Sequence, residues 1–167
     1  MKHASLRCRV VQLADADVIS KIYNHYIDQT IITFEEAPVS ANEIAQRIEK
    51  IVAHGLPWFV AEVGGQVIGY AYAAPWRERS AYRYSVEVSV YLKHDVSIRG
   101  AGSLLYQALF DALEDSQVHA ALAGIALPNE RSIALHEKFG MKKVAHLEQV
   151  GYKFERWIDV GYWQRTF

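Results

Sequence analysis

The chain reads as one α+β domain built in three layers, a mixed sheet with helices on its faces. Three observations predict this class. Its 167 residues are 51% apolar and 22% charged, enough for a substantial core at single-domain length. Stretches with apolar residues at every second position are interleaved with stretches where they recur every three to four positions. Their order is strand, two helices, three strands, helix, strand, helix, two strands. No repeat, low-complexity run or linker divides residues 1–167.

Each element has its own signal. Arg9-Val10-Val11 is a short opening strand, and Asp15 is placed to cap a helix with Val18, Ile19, Ile22, Tyr23, Tyr26 and Ile27 on one face. After a loop through Thr33–Pro38, Ser40 and Glu43 have capping-box spacing ahead of Ile44, Ile48, Ile51 and Val52. Gly55 and Pro57 end that helix. Trp58–Val63 and Gln66–Ala73 are strands joined by Gly64-Gly65, a pair suited to a tight hairpin. Tyr82–Leu92 is expected as the longest strand, with Tyr84, Val86, Val88, Val90 and Leu92 opposite Ser85, Glu87, Ser89 and Tyr91. Leu104, Leu105, Ala108, Leu109, Ala112 and Leu113 mark an amphipathic helix, and Ala120–Ala126 a buried strand. Asn129 caps a last helix ended by Gly140, before two strands near residues 143–150 and 153–164.

Composition removes several functions. Eighteen Lys and Arg against nineteen Asp and Glu give a net charge of -1, without the basic excess of a nucleic-acid binder. One cysteine, Cys8, excludes an intramolecular disulfide and a cysteine-rich metal cluster. The histidines lack metal-ligand spacing, so no metal is expected. No apolar run nears the roughly 18 residues of a membrane span, and Met1–Arg9 does not read as a signal peptide. The expectation is a cytoplasmic domain with no nucleic-acid or membrane partner.

Ser97-Ile98-Arg99-Gly100-Ala101-Gly102-Ser103 falls between the expected long strand and an amphipathic helix. Two glycines one residue apart let backbone approach a ligand, and a helix start offers unpaired N–H groups for an anion such as pyrophosphate. A glycine turn that only starts a helix fits the spacing equally well. The loop lacks the Gly-Lys-Ser/Thr ending of an NTP loop and the third glycine of a dinucleotide fingerprint.

Gly100 and Gly102, followed by Asn129-Glu130-Arg131-Ser132-Ile133-Ala134-Leu135-His136 and Phe139-Gly140-Met141, resemble the GNAT superfamily of acyl-CoA-dependent N-acetyltransferases. Ser97 departs from the usual Gln or Arg of that loop, and Ile98 from a common Arg. Pro75–Tyr82, Val86–Tyr91, Leu127–Asn129, Leu135–Glu137, Val150–Lys153 and Trp157–Arg165 are similar to the phosphinothricin N-acetyltransferase branch. The resemblance implies a GNAT fold, with a mostly antiparallel sheet splayed between its fourth and fifth strands and about four helices. It also implies acetyl-CoA as co-substrate. Ser97–Ser103 would hold pyrophosphate. The strand Val88, Ser89, Val90, Tyr91 and Leu92 would face the pantetheine arm with Asn129 and Ser132, and an amide near Val88 or Ser89 would polarise the thioester.

Acetyl transfer to an amine needs a base. Glu87 sits mid-strand among apolar neighbours, where burial raises a carboxylate's proton affinity; pairing with an arginine is the competing reading. His136 stands where relatives often carry tyrosine, which suggests an acid for the leaving thiolate, against the simpler reading of a packed helix residue. Arg77, Arg79 and Arg83 suit an anionic or tetrahedral acceptor group, against the simpler reading of a solvated basic turn, and the resemblance implies that Arg79 and Tyr82 contact the acceptor. Phe34 and Glu35 would close the other side. The crowded aromatic ending and the resemblance imply a homodimer, with Tyr152 and Lys153 approaching the partner's pocket. The expected activity is N-acetylation of phosphinothricin, methionine sulfoximine or methionine sulfone, which detoxifies them. The alternatives are acetylation of a polyamine or protein N-terminus, or a CoA-binding sensor without turnover.

Overall fold

The computed structural model of the chain describes residues 5–96 and 98–167. Among them are strands β1 (Leu6–Val10), β2 (Trp58–Val63), β3 (Gln66–Pro75), β4 (Ser85–Leu92), β5 (Ala120–Ala126), β6 (Lys142–Lys153) and β7 (Arg156–Thr166). Helices α1 (Ala16–Gln29), α2 (Ala41–Ala53), α3 (Ala101–Glu114) and α4 (Glu130–Lys138), with 3₁₀ turns at Leu13–Asp15 and Ser80–Tyr82, complete the described elements. The strands form one sheet in the order β1-β2-β3-β4-β5-β7-β6, antiparallel throughout except where β4 meets β5.

Local chemistry accounts for the boundaries. Ser40 Oγ accepts from Glu43 N at 3.2 Å and Glu43 Oε2 accepts from Ser40 N at 2.8 Å, the reciprocal cap that starts α2. Gly64 and Gly65, at φ 58° and 79°, turn β2 into β3. Alternation along the strands divides the core in two. Val86, Val88, Leu105, Leu109, Phe110, Ala123 and Trp163 pack on the α3 side, and Ile19, Ile22, Ile44, Ile48, Val60 and Tyr70 under α1 and α2.

Two expectations are corrected. Residues Ser80–Tyr82 form a 3₁₀ turn closed by Arg83 N to Ser80 O, so β4 begins at Ser85 and the twelve-residue β6 is the longest strand. Asp15 does not cap α1. Its carboxylate accepts two bonds from Arg9, at 2.8 and 2.9 Å, and one from Gln12 N, so the buried acid ties β1 to the turn before α1.

One irregularity organises the site. β4 pairs with β5 only at Ser85, Val86 and Glu87, while its pairing with β3 continues to Leu92. Beyond Glu87 the sheet is open.

Candidate active site

The opening exposes backbone. Tyr84 O accepts from Ala120 N on the β5 side, whereas Ser85 O accepts from Trp76 N on the β3 side, so even-numbered residues of β4 face the gap. The parallel register sets Val88 N–H opposite the Leu122 carbonyl, in the last rung. Ser89 N–H lies in the ladder with Tyr72. The amide expected near Val88 or Ser89 is therefore already committed, and Val90 carries the first free one. The Leu92 carbonyl accepts from Tyr26 Oη at 2.6 Å.

Three hollows follow the gap. One of about 220 Å³ lies between Val90, Leu92, Ile98, Ala101 and Leu135. A second of about 50 Å³ is bounded by Val88–Tyr91, Gly124–Ala126, Asn129, Ser132 and His136. A third of about 330 Å³ contains Glu87. Ile32 borders all three, which makes them stations on one track. At its start Gly100 adopts φ 89°, the left-handed region that favours glycine, and leads into α3. The first-turn amides of Ala101, Gly102 and Ser103 lack intrahelical acceptors. Gly102 has a second duty, since a Cβ there would stand 3.3 Å from Leu135 Cδ2. Arg99 is exposed, Ile98 packs against the α3-side core, and Ser97 lies outside the described residues. Ser103 Oγ accepts from Lys138 Nζ at 2.9 Å, and Asn129 Oδ1 accepts from Ser132 N at 3.1 Å as the cap of α4.

At the other end Glu87 rests over Gly124. A Cβ on Gly124 would come within 3.3 Å of Glu87 Oε1 and 3.2 Å of the Tyr162 ring. Burial pushes the Glu87 carboxyl above the usual carboxylate range, against the opposing pull of the Gly124 N–H and the Arg77 charge. Phe34, Ser89 and Tyr91 share its hollow.

His136 is 4% exposed and fully engaged. Nδ1 lies 2.7 Å from the Ser132 carbonyl, which only accepts, so Nδ1 bears the hydrogen. Nε2 then accepts from Tyr106 Oη at 2.8 Å. Burial lowers the proton affinity of the ring, which rests neutral. Its resting geometry offers no acid to the gap.

The arginines occupy a separate chamber of about 650 Å³. Arg77, Arg79, Arg83 and Tyr82 line one side, Arg47 and Lys50 of α2 with His54 just beyond its end the other. Arg77 stacks on Trp76, whose ring meets Tyr162 edge-on at 5.4 Å, across the wall shared with the Glu87 hollow. Glu35 does not line the Glu87 hollow. It is held by Arg47 at 2.7 and 3.2 Å. Lys153 turns into its own chain and donates to the Thr33 carbonyl at 2.9 Å, whereas Tyr152 is exposed beside Trp157.

Sequence reasoning missed Gly124, Tyr162, Ile32 and the α2 basic residues. The one available signal was the glycine inside the apolar run Ala120–Ala126, since a strand glycine marks close approach.

Comparison with known proteins agrees with this geometry. The model of the acetyltransferase (GNAT) domain matches residues 8–161. A phosphinothricin N-acetyltransferase of Streptomyces viridochromogenes is 40% identical, over 95% of this chain and 86% of the relative. An L-methionine sulfoximine/L-methionine sulfone acetyltransferase of Salmonella typhimurium is 35% identical, over 93% and 91%. The crystal structure of a phosphinothricin acetyltransferase from Sinorhizobium meliloti in complex with acetyl-CoA superposes with TM-score 0.93 at 34% identity, covering 97% of this chain and 88% of that one. An open parallel junction, a glycine-led helix at its mouth and these matches lead to one statement: the chain belongs to the GNAT acetyltransferase family.

Proposed function

We propose that this chain transfers the acetyl group of acetyl-CoA to the α-amino group of small amino acids bearing a second anionic or tetrahedral group. Phosphinothricin, methionine sulfoximine and methionine sulfone are of this class, and N-acetylation detoxifies them. The observation that carries the reading is the position of Glu87, at the last paired residue before the sheet opens.

When bound, acetyl-CoA supplies an acyl group activated as a thioester. The first-turn amides of α3 suit its pyrophosphate, with Arg99 adding charge. The free amide of Val90 and the Val88 and Val90 carbonyls suit the amide-bearing arm, as does the Asn129 amide nitrogen, which the helix cap leaves free. Glu87 accepts the proton of the incoming ammonium, directly or through water, and its burial brings its proton affinity closer to that task. A thiolate is a stable leaving group. His136, a neutral acceptor at rest, therefore supports α4 against α3 in this reading and is not its acid.

Arg77, whose charge acts on Glu87 from the adjoining chamber, leads Arg79, Arg83 and Tyr82 in taking the acceptor's anionic group, while Phe34 and Ile32 wall the Glu87 hollow. The same basic chamber disfavours a polyamine. The hairpin of β6 and β7 exposes Val144, Val150, Tyr152, Phe154 and Trp157, the last at 62%, a surface suited to a homodimer.

The test is Glu87→Gln in a thiol-release assay with phosphinothricin. At pH 7 kcat falls by about 10²–10⁴, the usual contribution of a general base. Acetyl-CoA affinity holds, and higher pH restores part of the rate as free amine accumulates. Near-wild-type kcat, with chemistry limiting, would overturn the assignment.

A further inference from the structure

We infer that Lys153 is a positioning residue for the acceptor pocket, acting through the loop between α1 and α2. The inference rests on the reading of the Glu87 hollow as that pocket. Lys153 is the last residue of β6 and only 2% exposed, yet its ammonium has a single protein acceptor among the described residues, the Thr33 carbonyl at 2.9 Å. Burying an ammonium is costly, and a core position would be filled more cheaply by an apolar side chain. What the lysine provides is a long reach and a charge-assisted bond to one carbonyl of the loop.

That carbonyl belongs to the residue between Ile32 and Phe34, both of which wall the Glu87 hollow. Three further side-chain contacts hold the segment. The Thr33 hydroxyl shares a hydrogen bond with Tyr23 Oη at 2.7 Å. Glu35 is gripped by Arg47. Phe34 is seated on β6 where Gly151 leaves room; a Cβ there would fall 2.3 Å from Phe34 Cζ. Lys153 and Gly151 lie two residues apart on β6, so one stretch of strand seats both the loop backbone and its pocket-facing ring. Lys153 touches no reacting atom. It sets where Phe34 stands relative to Glu87.

Lys153→Met keeps the stem and the burial but removes the donor. We expect the acceptor KM to rise about 10-fold, the scale of one charge-assisted bond, with acetyl-CoA affinity unchanged. Amide exchange at residues 32–35 should accelerate while α1 and α2 keep their protection. Gly151→Ala should shift KM in the same direction by displacing Phe34. The double variant should cost less than the two effects combined, since both act through one loop. Lys153→Arg should recover part of the KM. The inference is overturned if Lys153→Met leaves KM and loop exchange unchanged, or lowers acceptor and acetyl-CoA affinity alike as general unfolding would. Glu87→Gln separates the two claims. If it abolishes turnover while Lys153→Met spares KM, only the positioning role fails; if it leaves turnover intact, the pocket assignment fails.

Discussion

The two walls of the open sheet are built on different terms. Toward α3 and α4, the polar side chains are already satisfied: His136 by Ser132 and Tyr106, Asn129 by Ser132. Backbone groups are most of what remains to meet a ligand, with the Asn129 amide nitrogen and the exposed Arg99 beside them. Toward α1 and α2 stand side chains able to meet a ligand, the raised carboxyl of Glu87 and, in the neighbouring chamber, the exposed Arg77, Arg79 and Arg83. The difference teaches a division of labour. Backbone suffices for an amide-bearing partner such as acetyl-CoA, because it tolerates almost any side-chain change. Discrimination among acceptors needs side chains, which can be exchanged one at a time.

Substitutions on each side should break or sharpen this contrast. After Glu87→Gln, the largest effect on the acceptor is expected from Arg79→Ala, which should raise KM for an anionic acceptor about 10-fold, the lower end for a charge-assisted contact because the residue is exposed. A neutral amine should be unaffected, and calorimetry should show acetyl-CoA binding unaltered. An equal loss for the neutral amine would place Arg79 in the scaffold.

On the opposite wall His136→Phe keeps an aromatic ring but strands Tyr106 Oη. It should cost about 1–3 kcal/mol in denaturant unfolding while kcat stays within about threefold. The pH dependence is distinctive. Because burial lowers the folded proton affinity of His136, the unfolded chain binds more protons, so wild-type stability falls as pH drops below about 6.5. The variant should lack that component. A large fall in kcat without loss of stability would put His136 back among the reacting groups.

Smallest is Ser40→Ala, away from both walls. Losing its cap should cost about 1 kcal/mol with unchanged kinetics. It measures what stability loss alone does to the assay.

The same contrast governs how much could be read from the sequence. Element order, the two glycine turns, the Ser40–Glu43 cap and the facing of β4 are local properties of three to ten residues, and all were legible. Alternation placed Glu87 on the polar face of β4, the resemblance singled it out there, and the fold sets it at the last rung before the gap. Three features were hidden. The spent amide of Val88 depends on register with β5, a strand more than thirty residues on. Lys153 is held by a carbonyl 120 residues away in sequence, which no local pattern encodes. The opposite face of the arginine chamber comes from α2, whose Arg47 and Lys50 look like ordinary helix-surface charges until the fold brings them round.

An open sheet has two margins, and strands there normally need protection because their bare N–H and C=O groups recruit other chains. This sheet has a third margin, in its middle, where β4 runs on after β5 has turned away. The same hunger for a neighbouring strand operates there, between helices packed on both faces. What fits is a thin chain carrying its own amides. An aggregation hazard at the rim of a sheet becomes, once moved inside, a selective receptor.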